Sequence, residues 1–147
     1  MKIVGLIHLN SRIREISGLE ALENLEELYI ADNGLKDLKG LGKNNLQTIE
    51  IANNKVLDLS GSFYFANLST VSINLILTGL EHMSKLEELW ANNNEINSFQ
   101  EVDKLTSNTS LLTVYFEHNP IQKDPQYRRK LKLVLPSLTQ IDATLCK

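Results

Sequence analysis

Two sets of residues carry types and spacings that could do chemistry. The first is Cys146 with the three histidines, His8, His82 and His118, the usual sources of a nucleophile, a base or metal ligands. The cysteine stands one residue from the end, and no histidine has a nucleophile-like context. No metal-ligand spacing or phosphate-cradling glycine loop is present either. These residues point away from an enzyme and imply no cofactor, no metal and no catalytic residue. The second set is aromatic and acidic. The stretch 25–35 reads LEELYIADNGL and 86–96 reads LEELWANNNEI. One slot thus holds Tyr29 and then Trp90, with Glu27 and Glu88 two residues before. At the same slot of other copies stand Glu50, Ser72 and Tyr115, and Asp32, Asn92, Asn93, Glu117 and His118 lie nearby. Large exposed aromatics beside carboxylates suit recognition of a partner with a basic, partly apolar surface.

Such a surface needs a scaffold that puts one slot of each copy side by side. The pattern L-x-x-L-x-L-x-x-N-x-L supplies it. It fits Leu25, Leu28, Ile30, Asn33 and Leu35, then Leu46, Ile49, Ile51, Asn54 and Val56. It returns at Leu86, Leu89, Ala91, Asn94 and Ile96, and at Leu111, Val114, Phe116, Asn119 and Ile121. The L-x-L core reads as a short strand with apolar residues inward and the intervening residue outward. Asparagine turns the chain, its side chain satisfying backbone groups at the bend. Apolar residues at Leu35, Leu38 and Leu41 fill the returning side. One such coil cannot bury its own apolar face, so coils must stack. The 21 residues from Leu25 to Leu46 make the repeat short, with a 3₁₀ or irregular convex side. Five to six coils are expected. Adjacent strands lie roughly 4.8 Å apart, so Trp90 and Tyr115 should be neighbours on the concave sheet.

Two places break the pattern. Upstream, Ile3, Leu6, Ile13 and Ile16 fit a copy, but His8 takes an apolar slot and Ser11 the asparagine slot. In the middle, Leu68, Val71 and Ile73 begin a copy, Ile76 falls where asparagine belongs, and the next copy arrives after only 18 residues. Residues 61–78 therefore read as a degenerate coil. The carboxy end differs in kind. Asp124 is expected as a helix N-cap with Pro125 at the first helical position. Tyr127, Leu131 and Leu135 then make one apolar face, Pro136 stops the helix, and Leu138 and Ile141 form a last strand or coil edge. The basic run YRRKLK (127–132) reads as a solvated helix face rather than a nucleic-acid or membrane patch. The expected organisation is one domain over 1–147: a partial first repeat at 1–24, repeats over 25–119 and a cap at 120–147.

Bulk properties narrow the partners. Fifteen Lys and Arg against 18 Asp and Glu give a net charge of −3, too little basic charge to hold nucleic acid. No apolar run is long enough to span a bilayer, so no membrane partner is expected. The opening MKIVGLIHLN reads as a strand rather than a signal peptide. With one cysteine the expected compartment is reducing, cytosolic or nuclear, and the Asn67 and Asn108 sequons read as chance.

Residues 12–58 and 79–144 resemble the leucine-rich repeats of the 22-residue subfamily. The segment TVYFEHNPIQKDPQYRRKLKLVLPSLTQIDAT (113–144) is similar to the terminal segment of a regulatory-subunit family of type-1 serine/threonine protein phosphatase, and LEELWANNNEINSFQEVDKL (86–105) to its penultimate repeat. The resemblance implies an α/β repeat fold: a leucine-rich-repeat solenoid with short parallel strands on the concave face and a carboxy-terminal helical cap. It implies a non-catalytic protein of nucleus and cytoplasm whose concave face holds the phosphatase catalytic subunit. The family's binding residues match Glu88, Trp90 and Tyr115, with Glu50 at an acidic position; Tyr29 and Glu117 complete the candidate surface. The family is longer, and this chain resembles its carboxy-terminal half. A leucine-rich-repeat protein with another client, such as a cytoskeletal or splicing partner, and a shortened relative that no longer binds the phosphatase are the alternatives.

Overall fold

The computed structural model describes residues 12–19, 21–41, 45–56, 59, 67–73 and 77–146, together with the backbone of 5–7. Strands of two or three residues stack in chain order into one eight-stranded sheet. They are β1 (Gly5–Ile7), β2 (Glu27–Tyr29), β3 (Thr48–Glu50), β4 (Thr70–Ser72), β5 (Glu88–Trp90), β6 (Thr113–Tyr115), β7 (Gln140–Ile141) and β8 (Thr144–Leu145). The first seven run parallel, and β8 folds back antiparallel on β7. The L-x-L period dictates what each strand buries. Leu28, Ile49, Val71, Leu89, Val114 and Ile141 are in register and at most 2% exposed, forming one continuous apolar column. Truncating one of these leucines to alanine would cost on the order of 2–5 kcal/mol. The returning side carries short 3₁₀ turns at Lys39–Leu41, Leu80–His82, Asp103–Ser107 and Pro120–Lys123, plus one α-helical turn, α1 (Phe99–Val102). Coils meet backbone to backbone there: a Cβ on Gly40 would lie 1.8 Å from the Ile16 carbonyl oxygen, so only glycine fits.

The asparagines act as the pattern requires. Asn54 Oδ1 accepts the Leu35 N–H at 3.1 Å, while Nδ2 donates to the Ile30 and Ile51 carbonyls at 2.8 and 3.0 Å. Asn119 repeats this three coils on, accepting from Ile96 N–H and donating to the Ala91 and Phe116 carbonyls. Each side chain pairs groups of its own coil with groups of the preceding one, which a strand-to-turn bend would otherwise strand in the interior. The residue before each asparagine, Asp32, Asn53, Asn93 and His118, is left-handed, with φ of 55 to 61°. Asp and Asn tolerate that conformation best, which explains the D-N and N-N pairs in the sequence.

Several expectations are sharpened or corrected. The strand half of 61–78 is regular: β4 pairs in register on both sides, and Leu68 and Val71 are fully buried. Ile3, His8, Ser11, Ile76, residues 61–66 and the Leu6 side chain lie outside the described residues. Ile13 and Ile16 pack against the core, and Ile13 N–H donates to Asn33 Oδ1. Asp124 does not cap a helix starting at Pro125. The helix α2 spans Tyr127–Val134, because Asp124 first closes a tight turn. Its Oδ1 accepts the Gln126 N–H at 2.7 Å and its carbonyl the Tyr127 N–H at 2.9 Å. Tyr127 and Leu131 on α2, and Leu135 just past its end, are buried as expected.

The basic run is more than a solvated face. Arg128 donates to the Ile141, Thr144 and Leu145 carbonyls, Lys132 to the Pro136 and Leu138 carbonyls, and Lys130 pairs with Asp124. Three of its four cations tie the cap together. Asn108 is 2% exposed and donates to the Leu80 and Met83 carbonyls, linking two coils. Among the described residues no helix is long and apolar enough to cross a membrane.

Candidate interaction face

The side chains between the inward leucines form a row across the sheet: Tyr29, Glu50, Ser72, Trp90 and Tyr115 occupy one register position on β2 to β6. Parallel pairing without insertion makes this row, so the aromatic slot of the sequence becomes a line on the surface. Its carboxy-terminal end carries a stacked pair. The Trp90 and Tyr115 rings lie 4.3 Å apart between centroids at 26°. Trp90 remains 40% exposed, one of the few large apolar side chains among the described residues so open to solvent. Its indole N–H donates to Glu88 Oε2 at 3.3 Å, which fixes the ring's azimuth and places a carboxylate at its edge. Ser72, one strand back, is too small to cover the other face of the indole. A cavity of about 250 Å³ opens there, reaching from Trp90 to Tyr29 over Thr48, Thr70 and Ser72, with Glu50 on its wall.

Tyr29 stands three strands from Trp90 and does not join the stack. Its hydroxyl donates to Glu27 Oε2 at 3.3 Å. Desolvation raises its ionisation above the ordinary phenol range, with the charges of Glu27 and Glu50 adding to the effect. Glu117 and His118 follow β6, which ends at Tyr115, and sit in the turn after it. Glu117 is half-buried in the turn that follows, where its carbonyl accepts the Asn93 N–H. His118 is exposed at the left-handed position, its own N–H donating to Gln122 Oε1. The structure therefore gathers Glu88, Trp90 and Tyr115, sets Glu50 and Tyr29 further along the same face, and leaves Glu117 at its rim.

Gln140 went unnoticed in the sequence. It lies on β7 opposite Thr113, and its Nε2 donates to the Tyr115 hydroxyl at 2.8 Å and to the Asp142 carbonyl at 2.9 Å. The signal was available: Leu138 and Ile141 repeat the Leu111-to-Val114 spacing, which aligns Gln140 with Thr113. One residue past Ile141, Asp142 closes the sheet as a buried carboxylate, accepting the Phe116 N–H at 2.8 Å and the Tyr127 hydroxyl at 3.1 Å. Burial, then the Asp142 charge, raises the ionisation of the Tyr127 phenol, so it stays a proton donor. Among the described residues no group of three His, Cys, Asp or Glu side chains is placed to hold a metal ion.

Comparison with known proteins fits this geometry. The chain is 54% identical over 72 residues to protein phosphatase 1 regulatory subunit SDS22 of Schizosaccharomyces pombe, covering 47% of this chain and 22% of that protein. It is 56% identical over 52 residues to protein phosphatase 1 regulatory subunit 7 of Homo sapiens, covering 35% and 14%. The matched part thus spans about a fifth or less of these relatives' length. In fold it is similar to a chain of the Drosophila melanogaster SNF/U2A′ complex, with TM-score 0.62 and 24% identity over 97% of this chain and 74% of that one. It is also similar to an LRR protein of Leptospira interrogans, with TM-score 0.57 and 19% identity over 82% and 38%. No family model matches the chain. The chain is a leucine-rich-repeat solenoid, and in sequence it resembles the regulatory subunits of protein phosphatase 1 over part of its length.

Proposed function

We propose that this chain is a non-catalytic scaffold that binds the type-1 serine/threonine phosphatase catalytic subunit through its concave face. Trp90, Tyr115 and Glu88 form the centre of that surface, with Glu50, Tyr29 and Glu117 at its margin. The observation that carries the reading is the stacked Trp90–Tyr115 pair beside the Glu88 carboxylate, with Trp90 exposed to solvent. A preordered aromatic anchor loses little side-chain entropy on docking, and the neighbouring acids select a partner with basic groups around an apolar spot. Similarity to phosphatase regulatory subunits over part of the chain supports this choice of partner. The same reading makes residues 1–147 a single leucine-rich-repeat domain that acts in nucleus and cytoplasm.

Calorimetric titration of the chain with the catalytic subunit tests it, beside a Trp90→Ala, Tyr115→Ala double variant whose fold is verified by thermal melting. The parent binds and the folded variant loses at least about thirtyfold in affinity, as removal of an interface hot spot does. Binding that survives in the double variant overturns the assignment of the surface. A parent chain that does not bind is a folded scaffold for another client.

A further inference from the structure

The cap decides which hydrogen-bonding sense Tyr115 offers a partner. The Gln140 amide bridges two oxygens, the Tyr115 hydroxyl and the Asp142 main-chain carbonyl. A carbonyl only accepts, so the NH₂ end of Gln140 must face it; the flipped amide would set two acceptors against each other at 2.9 Å. The same NH₂ group therefore donates to Tyr115, whose oxygen is the acceptor. Among the described residues no acceptor takes the Tyr115 hydroxyl proton. Tyr29, the other tyrosine of the row, is the reverse case: its proton is spent on Glu27 Oε2. The two ends of the face thus present opposite polarity, a donor beside the stacked indole and lone pairs at the far end.

We infer that Gln140 is a positioning residue for recognition: it pins the Tyr115 ring against Trp90 and leaves the Tyr115 hydroxyl as a donor, so the partner must bring an acceptor oxygen to that point. The inference rests on the binding role proposed for the concave face. It extends the interface requirement from a basic, partly apolar surface to one with a carboxylate, carbonyl or hydroxyl oxygen within hydrogen-bond reach of Tyr115 and the basic groups displaced toward Glu88 and Glu50. Gln140 itself touches no partner. It acts through Tyr115.

A double-variant cycle with Gln140→Leu and Tyr115→Phe reads this directly. Affinities of the parent, both single variants and the double variant for the phosphatase catalytic subunit are measured by calorimetry, and near-ultraviolet circular dichroism of each free protein reports the indole–phenol pair. Each single change weakens binding roughly three- to tenfold, the worth of one neutral hydrogen bond. Gln140→Leu adds less than about twofold once Tyr115 is phenylalanine. Gln140→Leu alters the near-ultraviolet band of the free protein. Gln140→Met, a second variant of similar length, removes both amide bonds without adding an acceptor and weakens binding as Gln140→Leu does. Losses that multiply independently, or Gln140→Leu and Gln140→Met proteins that bind like the parent, overturn the inference. If the parent itself fails to bind, the proposed function falls; an unchanged near-ultraviolet band in Gln140→Leu then removes the positioning role as well.

Discussion

The strands β2 and β5 carry almost the same words, LEELY and LEELW, yet they do different things. Both bury the second leucine completely and both set a carboxylate two residues before an aromatic. Each aromatic hydrogen-bonds that carboxylate at 3.3 Å. The divergence comes from the neighbours. Tyr29 looks across at Glu50, and Trp90 at Tyr115, which is held in turn by Gln140 from the cap. One motif therefore yields a polar, self-satisfied tyrosine at one end and an exposed aromatic stack at the other. In a repeat protein the role of a slot is set by what the adjacent coil puts beside it, because the register brings equal slots into contact.

The sharpest way to break this comparison is through the asparagines that tie each of these coils to a neighbour, Asn33 for β2 and Asn119 for β5. Asn119 is 4% exposed, accepts the Ile96 N–H and donates to the Ala91 and Phe116 carbonyls; Asn33, only partly buried, accepts the Ile13 N–H and donates to the Ile30 and Ala31 carbonyls of its own coil. Asn119→Ala leaves several interior groups unpaired and costs about 3 kcal/mol. Asn33→Ala, whose partners are nearer water, costs about half of that. Chemical denaturation of both variants measures the difference, and equal losses would show that burial does not separate the two ends.

A smaller effect lies in the cap that braces the aromatic end. The Lys130 ammonium and the Gln126 N–H both bond Asp124 and hold its carboxyl below the usual range. A carboxyl lowered on folding stabilises above its unfolded value of about 3.9, and that contribution fades as pH falls through the lower folded value. Melting temperature should therefore fall on acidification below about pH 4 slightly less in Asp124→Asn than in the parent. The pair is solvent-accessible, so the difference is small. An identical acid profile in the two proteins would remove Asp124 from the account of the cap.

What the sequence made legible follows from how local each signal is. Strand register, the inward column and the Trp90–Tyr115 contact could be read because one short pattern repeats with a fixed spacing. The left-handed turn before each asparagine was missed although its chemistry, Asp32, Asn53 and Asn93, was in plain view; His118 at the fourth position disguised it. The start of α2 was misplaced because Asp124-Pro125 serves equally as a cap or as a turn, and the bond to Gln126 N–H occurs in both. The tie from Gln140 depends on which strand the cap lays against β6, information held by packing rather than by neighbours in the chain. The basic run carried the same lesson: Arg128 and Lys132 find carbonyls 4 to 17 residues away, which no local reading of charge reveals.

The claim that function resides at the aromatic end of the concave face is tested most directly by hydroxyl-radical footprinting of the parent chain, alone and with the phosphatase catalytic subunit. Trp90 and Tyr115 should lose most of their labelling in the complex, Tyr29 should lose less, and Leu133, 72% exposed on the cap helix, should label as before. Protection of Leu133 with Trp90 and Tyr115 unchanged would contradict the account and move the interface to the cap.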